Sequence, residues 1–184
     1  MADTATTATA LPLKPGRWAL DELHSRVGFA IRHLGVSKVR GHFGQIDAEL
    51  VVGPTLATTS ISATVALASI DTGNRDRDAH LGAPDMLDFE QRPEMSFRSA
   101  GIRGEGSDWT LEGEITIGEV TRPAVLAVDF GGVAEFRDEH HAGFEAIGEL
   151  RRSDFGLSFG PMGDALLGEA VKIELDLQFI EPAD

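Results

Sequence analysis

The sequence contains no cysteine and no tyrosine. Without cysteine the chain cannot hold disulfides, thiolate zinc sites or iron–sulfur clusters, and it has no cysteine nucleophile. Basic residues are also scarce: 16 Lys and Arg stand against 30 Asp and Glu, which gives a formal net charge of −14. This acidic field argues against nucleic acid or an anionic membrane surface as the main partner. No apolar run approaches the roughly 20 residues of a membrane-spanning helix, so we expect no membrane span.

The length of 184 residues indicates one domain preceded by a short leading segment. Residues 1–15 are rich in Ala and Thr, and they show no basic region followed by an apolar run. We expect residues 1–15 to be a disordered N-terminal lead-in and residues 16–184 to form the domain. Because no signal peptide is visible, the expected location is the cytoplasm.

Most of the remaining chain alternates apolar and polar residues, which is typical of strands with one buried and one solvated face. The clearest case is the C-terminal segment, where alternate residues from Val171 to Phe179 are apolar. Short turns separate the segments, and short turns favour antiparallel pairing. We predict eight or nine antiparallel strands, with the others near residues 17–21, 26–32, 39–52, 60–67, 95–102, 110–117, 124–136 and 144–150.

The length of these strands and the glycines within them favour a closed barrel over a sandwich, because glycine allows a strand to bend. Only the stretch from Asn74 to Leu87 has helical character, with Asn74 as its N-cap. The predicted fold class is therefore all-β, an antiparallel eight-stranded barrel with a short helical lid. The interior of such a barrel is either filled by side chains or able to hold one slender ligand.

Several motifs follow one another in a specific order. The middle group is Ser69-Ile70-Asp71-Thr72-Gly73-Asn74, followed by Arg77-Asp78 and His80-Leu81. The flanking groups are Trp18, Asp21, His24-Ser25, Arg32-His33-Leu34-Gly35-Val36-Ser37 and Gly41-His42-Phe43 before it, and Pro93, Phe97, Leu111-Glu112-Gly113, Val120-Thr121, Arg152 and Asp154-Phe155-Gly156-Leu157 after it. In this order and spacing, the chain from about Gly16 to its end resembles the YceI-like family of polyisoprenoid-binding proteins.

The resemblance implies a lipocalin-like barrel, often dimeric, that holds one long isoprenoid or other amphiphile in an elongated apolar tunnel. It implies no established catalysis and no cofactor, although a bound isoprenoid or isoprenoid quinone would be the ligand. One departure is Met86-Leu87, which stands where the family usually has an aromatic pair. This difference is expected to reshape the tunnel mouth.

The candidate ligand-binding residues fall into an apolar group and a polar group. An isoprenoid tail presents only hydrocarbon, so its tunnel needs an apolar wall. The polar group could pair with a phosphate or quinone-like head, for which arginine is well suited. The candidates for the wall are Phe29, Ile31, Phe43, Val65, Leu67, Leu81, Phe97 and Ile115, and the polar candidates are His33, Asp71, Arg75, Arg77 and His80. Each apolar candidate could equally be ordinary core.

The motifs also allow structural interpretations. For Arg77 and Asp78 we favour a salt bridge that locks the lid. Adjacent His140 and His141 point to opposite faces of a strand and fit a solvated hairpin tip better than a metal site. The acidic residues of the lid lack the mid-loop glycine and terminal glutamate of a calcium loop, so we expect no metal.

Three function classes follow from these patterns. The favoured one is a non-catalytic protein that binds, carries or sequesters a polyisoprenoid or similar long-chain amphiphile. The second is a small enzyme acting in the same pocket, with His33 or Asp71 as acid or base. The third is an interaction module in which the barrel is a scaffold for a homodimer. No nucleophile elbow or phosphate-binding loop favours the enzyme.

Overall fold

The computed structural model describes residues 11–183 and shows a sheet of eleven strand segments with two short helices. No helix in this range is both long enough and apolar enough to cross a membrane. The helices are α1 (Arg75–Leu81) and α2 (Gly160–Leu166). The strand segments are β1 (Gly16–Leu20), β2 (Arg26–His33), β3 (Ser37–Phe43), β4 (Ile46–Val52), β5 (Ser60–Ala66), β6 (Ile70–Asp71), β7 (Glu94–Glu105), β8 (Asp108–Ile117), β9 (Val120–Phe136), β10 (Glu139–Arg151) and β11 (Leu167–Ile180).

The eleven segments form eight strands, because three strands are bent and each counts as two segments. A 3₁₀ turn at Glu22–His24 separates β1 from β2, and a second at Leu67–Ser69 separates β5 from β6. Between β3 and β4 the break is Gly44 and Gln45, where the amide of Gly44 donates to the carbonyl of Ser69. The three bent strands are β1 with β2, β3 with β4, and β5 with β6. The two halves of the middle strand have the same neighbouring strands: β4 pairs with β1 and β5, and β3 pairs with β2 and β6.

The last strand closes the ring. Near its start β11 pairs with β2, and at its end Phe179 and Ile180 pair with Leu20 and Ala19 of β1. Its other edge pairs with β10 from Ala170 to Ile180. All pairings are antiparallel. The predicted antiparallel eight-stranded barrel is confirmed.

The predicted lead-in and the predicted lid differ from the structure in detail. Residues 1–10 of the lead-in lie outside the described residues. Within its remaining part, Leu13 is 5% exposed and packs in the core, and the Trp18 indole donates to the carbonyl of Lys14 at 2.9 Å. Packed structure therefore starts before the predicted boundary at residue 16. The lid has two helices instead of one, because residues 160–166, which lie between two predicted strands and were assigned no helix, form α2.

Aromatic side chains fill the end of the barrel opposite the helices. The Trp109 and Phe130 rings stack with centroids 5.0 Å apart, and the Phe144 ring lies 5.2 Å from that of Phe130. Phe144 also meets Phe179 edge-on at 5.9 Å. Phe179 of β11 is fully buried, and Trp18 is buried in β1, which pairs with β11 and β4. This cluster makes the barrel blind at one end.

Large rings lie over glycines in the wall of the barrel. Phe29 of β2 is paired with Gly41 of β3, and a Cβ on Gly41 would overlap the Phe29 ring. Likewise, a Cβ on Gly113 of β8 would overlap the ring of Phe97. These glycines are required for close approach and leave room for two inward-facing phenylalanines.

We predict that Phe179→Ala lowers the free energy of unfolding by about 3–5 kcal/mol, because it removes a fully buried ring and leaves a cavity. Urea denaturation followed by circular dichroism measures this loss. The control is Val125→Ala, at an outward position that is 58% exposed, which should change stability by less than about 0.5 kcal/mol. Equal effects of the two substitutions would contradict the assigned core.

Candidate functional site: an apolar cavity beneath two helices

Helix α1 is anchored at its start by Asn74 and Thr72. As the sequence predicts, Asn74 is the N-cap, and its side chain accepts a hydrogen bond from the amide of Arg77 at 2.9 Å. The preceding turn is held by Asp71, whose carboxylate accepts from the amide of Gly73 at 2.7 Å. Gly73 has a φ of 79°, a conformation that favours glycine.

Arg77 and Asp78 do not form the predicted salt bridge with each other. Instead both bind Thr72: the Thr72 hydroxyl donates to Asp78 at 2.5 Å and accepts from Nε of Arg77 at 2.7 Å. Nη2 of Arg77 also donates to the Thr72 carbonyl at 2.8 Å, and the Thr72 amide donates to Asp78. The correction has a steric reason, because adjacent helical residues do not face each other and can meet only through a third group. The two side chains still fix the lid.

Helix α2 depends on Asp164. Proline lies in its first turn, where a fixed φ favours a helix. The Asp164 carboxylate accepts from the Ser158 hydroxyl at 2.6 Å, from the Phe159 amide at 3.0 Å and from Nη1 of Arg152 at 3.0 Å. Together these three hydrogen bonds lower the pKa of Asp164 from 3.8 to about 2. The carboxylate therefore ties the helix both to its own start and to the barrel.

Arg152 is the buried cation below α2, and its side chain has a full set of acceptors. It is 3% exposed, and it donates to the carbonyls of Leu157, Leu167 and Gly168 at 2.8–3.2 Å in addition to Asp164. The Phe159 ring lies over the guanidinium at 4.9 Å. A buried charge is tolerated when it is paired and hydrogen-bonded in this way. Arg152 therefore joins the end of β10, α2 and the start of β11.

Beneath the two helices lies a cavity of about 530 Å³. This is within the range of about 300–1,000 Å³ that small-molecule sites occupy. Most of its wall is apolar and comes from β2, β3, β11 and the lid, including Ile31, Val39, Met86, Leu87 and Val171. Its polar lining consists of His33, Thr72, Arg77, His80 and Arg152. The arrangement offers hydrocarbon surface with a few hydrogen-bonding groups at the lid.

A second cavity of about 110 Å³ lies deeper in the barrel. The two cavities share Val27, Met95 and Ile173 in their walls. The deeper cavity is lined almost wholly by apolar residues and reaches Trp109 and Phe179 at the blind end. The two spaces therefore follow one another along the barrel axis, from the lid towards the aromatic cluster.

Comparison with known proteins assigns the family. The YceI-like domain profile matches residues 18–179. The chain belongs to the YceI-like family. Among its relatives, a UPF0312 protein of Staphylococcus epidermidis is 33% identical over 170 residues, covering 89% of this chain and 96% of the relative.

Solved structures agree with this assignment. The YCEI protein of Campylobacter jejuni superimposes with a TM-score of 0.73 at 25% identity. The superposition covers 100% of this chain and 98% of the Campylobacter jejuni chain. A polyisoprenoid-binding domain from Saccharophagus degradans, implicated in plant cell wall breakdown, has a TM-score of 0.69 at 12% identity, with coverage of 90% and 98%. At that identity the second likeness shows the shared fold alone.

In this YceI-like barrel most of the predicted ligand-binding residues line the cavities. Most of the apolar residues among them line a cavity because they lie at inward-facing positions of the strands. Arg77 and His80 line it because α1 covers the cavity. The larger cavity is lined by Phe29, Ile31, His33, Phe43, Leu67, Arg77, His80 and Leu81, and the deeper cavity by Val65, Phe97 and Ile115. Their role in ligand binding stays a prediction.

Asp71 and Arg75 line neither cavity. Both are exposed, and the Asp71 carboxylate is used in the turn before α1. The sequence predicts no binding role for Arg152, although the motif Asp154-Phe155-Gly156-Leu157 follows it. The motif was the available signal, since Nη1 of Arg152 donates to the carbonyl of Leu157 across the turn that Asp154 to Gly156 form. The departure at Met86 and Leu87 does lie in the wall of the larger cavity.

We predict that Asp164→Asn loosens α2. In the wild type the contribution of this carboxylate to folding is fully present above its unfolded pKa of about 3.8 and is lost as the pH falls through about 2. Hydrogen exchange in residues 160–167, corrected for intrinsic rates, should show this pH step, and the variant should exchange faster at pH 7 without it. Asp154→Asn, in the exposed part of the preceding turn, is the control. A wild-type pH profile in Asp164→Asn would contradict the assigned anchor.

Proposed function

We propose that this protein binds a polyisoprenoid or comparable long-chain amphiphile in the barrel without catalysing a reaction. The observation that carries the proposal is the pair of consecutive cavities, of about 530 and 110 Å³, closed at one end and lined mainly by apolar side chains. Each buried CH₂ group contributes about 0.8 kcal/mol, so a long tail needs no specific polar contact to bind tightly. A tail would lie along the axis with its far end at the aromatic cluster.

The head of the ligand would lie under the lid. His33 and His80 offer imidazole nitrogens there, and Arg77 contributes a guanidinium already oriented by Thr72. These donors suit an oxygen-bearing head such as a quinone carbonyl or a phosphate. An isoprenoid quinone therefore fits both parts of the site.

Two further observations support binding over chemistry. Arg152 in the cavity wall and its partner Asp164 are committed to structural hydrogen bonds. The Saccharophagus degradans domain with the same fold is described as polyisoprenoid-binding. We further propose that the protein carries or stores this amphiphile and that it forms a homodimer. Sedimentation velocity of the purified protein measures the oligomeric state.

The proposal predicts a measurable dependence on tail length. Ala48 is buried in the wall of the deeper cavity, so Ala48→Phe should fill that space. We expect uptake of a long-tailed prenylquinone to weaken at least about tenfold, because two or more CH₂ groups lose their burial, while a short-tailed prenylquinone binds as in the wild type. Native mass spectrometry after incubation with each quinone measures uptake.

The matched control is Ala127→Phe, which places the same ring on the outward face of β9. It should leave uptake of both quinones unchanged, and circular dichroism checks that both variants fold. If the wild type takes up neither quinone nor a polyisoprenyl phosphate, and carries no co-purified lipid, the proposed function is wrong.

A further inference from the structure

The hairpin between β2 and β3 differs in charge from the rest of this acidic protein. Residues 26–46 contain four of the 16 basic side chains, Arg26, Arg32, Lys38 and Arg40, and none of the 30 acidic ones. Arg32 and Lys38 lie directly opposite each other near the tip, on the face that points away from the cavity. Like charges in this position repel, so this pair is not explained by the stability of the sheet. Glu174 of β11 attracts Lys38 and Arg40, and an anionic surface that meets the hairpin would offset the remaining repulsion.

The tip of the hairpin exposes large apolar side chains. Leu34 is 57% exposed and Val36 is 80% exposed. Leu34 has a φ of 54°, followed by Gly35 at 70°, as in a type I′ turn, where asparagine rather than leucine is favoured at the first central position. A leucine there is strained, and its side chain gains little burial in return. The leucine side chain therefore lowers the stability of the turn, and because it is exposed its burial offsets little of that cost.

This tip lies beside the mouth of the larger cavity. His33, at the base of the turn, lines that cavity and is paired with Leu167. The amide of Leu34 donates to the carbonyl of Leu166, the last residue of α2, at 2.7 Å. The same helix exposes Met162 to 76%. Apolar side chains and basic side chains thus occur together at the end where a ligand would enter.

We propose that the β2–β3 hairpin docks the open end of the barrel on an anionic lipid bilayer, with Leu34 and Val36 inserted among the headgroups. The occupant is inferred from charge: a surface that is basic, apolar at its tip and adjacent to a lipid-sized cavity matches anionic headgroups over hydrocarbon. This inference rests on the proposed function, because a bilayer is the source from which an amphiphile would be loaded.

The net charge of −14 does not prevent such docking. Charges further from the bilayer than the Debye length, about 8 Å at physiological ionic strength, are largely screened, so the local charge of the hairpin dominates. The carboxylates of the adjoining segment, Asp164 and Glu169, are hydrogen-bonded to Arg152 and Ser153. The acidic excess argues against docking by the whole surface, and the exposed carboxylates of Asp76 and Asp85 in the lid confine the basic charge to the hairpin.

The test is co-flotation of ligand-free protein with vesicles of phosphatidylcholine alone or mixed with phosphatidylglycerol. The wild type should bind the mixed vesicles, and binding should fall with salt. Leu34→Asn combined with Val36→Ser should weaken binding about tenfold while keeping the turn, since asparagine favours a positive φ. Val125→Ser, on the barrel wall at a position as exposed as Leu34, should not change it.

A second pair of variants tests the charge. Arg32→Gln with Lys38→Gln should reduce binding to mixed vesicles to the level seen with phosphatidylcholine alone, whereas Arg103→Gln with Arg137→Gln, on hairpins at the opposite end, should not. Docking is overturned if the wild type does not float, or if the Leu34 and Val36 variant floats equally well. It is also overturned if that variant changes only the sedimenting mass, since the tip would then be an interface between copies of this chain.

Quinone uptake measured without vesicles separates the two proposals. Uptake without flotation would overturn docking and retain the proposed function. Flotation without uptake of any tested isoprenoid would retain docking and overturn the function on which loading depends.

Discussion

The closure of the sheet by β11 is the constraint on which the rest of the structure depends. One strand must pair along one edge with β10 and along the other with both halves of a bent partner. The bend at Glu22–His24 makes this possible, and Asp21 stabilises it by accepting hydrogen bonds from the Leu23 amide, the His24 ring and the Gln178 side chain. Burial raises the pKa of Asp21, but the bonds from His24 and Gln178 outweigh burial and keep it below the usual value.

Closure has two consequences for the interior. It pairs most strand edges, although β6 bonds to β3 alone, and it makes inward side chains face one another across the lumen. It also makes the interior narrow, and the cross-section is set by the size of the residues in each layer. Four aromatic rings pack against one another in the layer at one end, whereas the layer beneath the helices, although it includes Phe29 and Phe43, encloses the larger cavity. The position of the cavity thus follows from where the rings pack together along strands whose phase is fixed.

The period of two was sufficient to predict most of the wall, since the phase of a strand decides which side chains point inward. It could not locate Gly44 as a break within a predicted strand, because nothing local distinguishes a bend from a bulge. Helix α2 was missed for another reason: its two glycines and proline read as a turn, and the bonds that stabilise it come from Asp164 and from Arg152, which lies eight residues before its start. The same non-local contacts explain why no role was predicted for Arg152. The motif predicted a binding role for Asp71, but the Asp71 carboxylate instead accepts a hydrogen bond within the turn before α1.

The blind end gives the molecule a kinetic property. A slender ligand in such a barrel can leave only by the way it entered, so it must withdraw along its whole length before it is free. If the transition state for release has the tail largely in water, each additional CH₂ group, at about 0.8 kcal/mol, lengthens the residence time about fourfold. The aromatic cluster of Trp109, Phe130, Phe144 and Phe179 would then contribute to a slow, length-dependent release of the ligand. It would prevent passage through the barrel, and the lifetime of such a complex would depend on the length of the ligand.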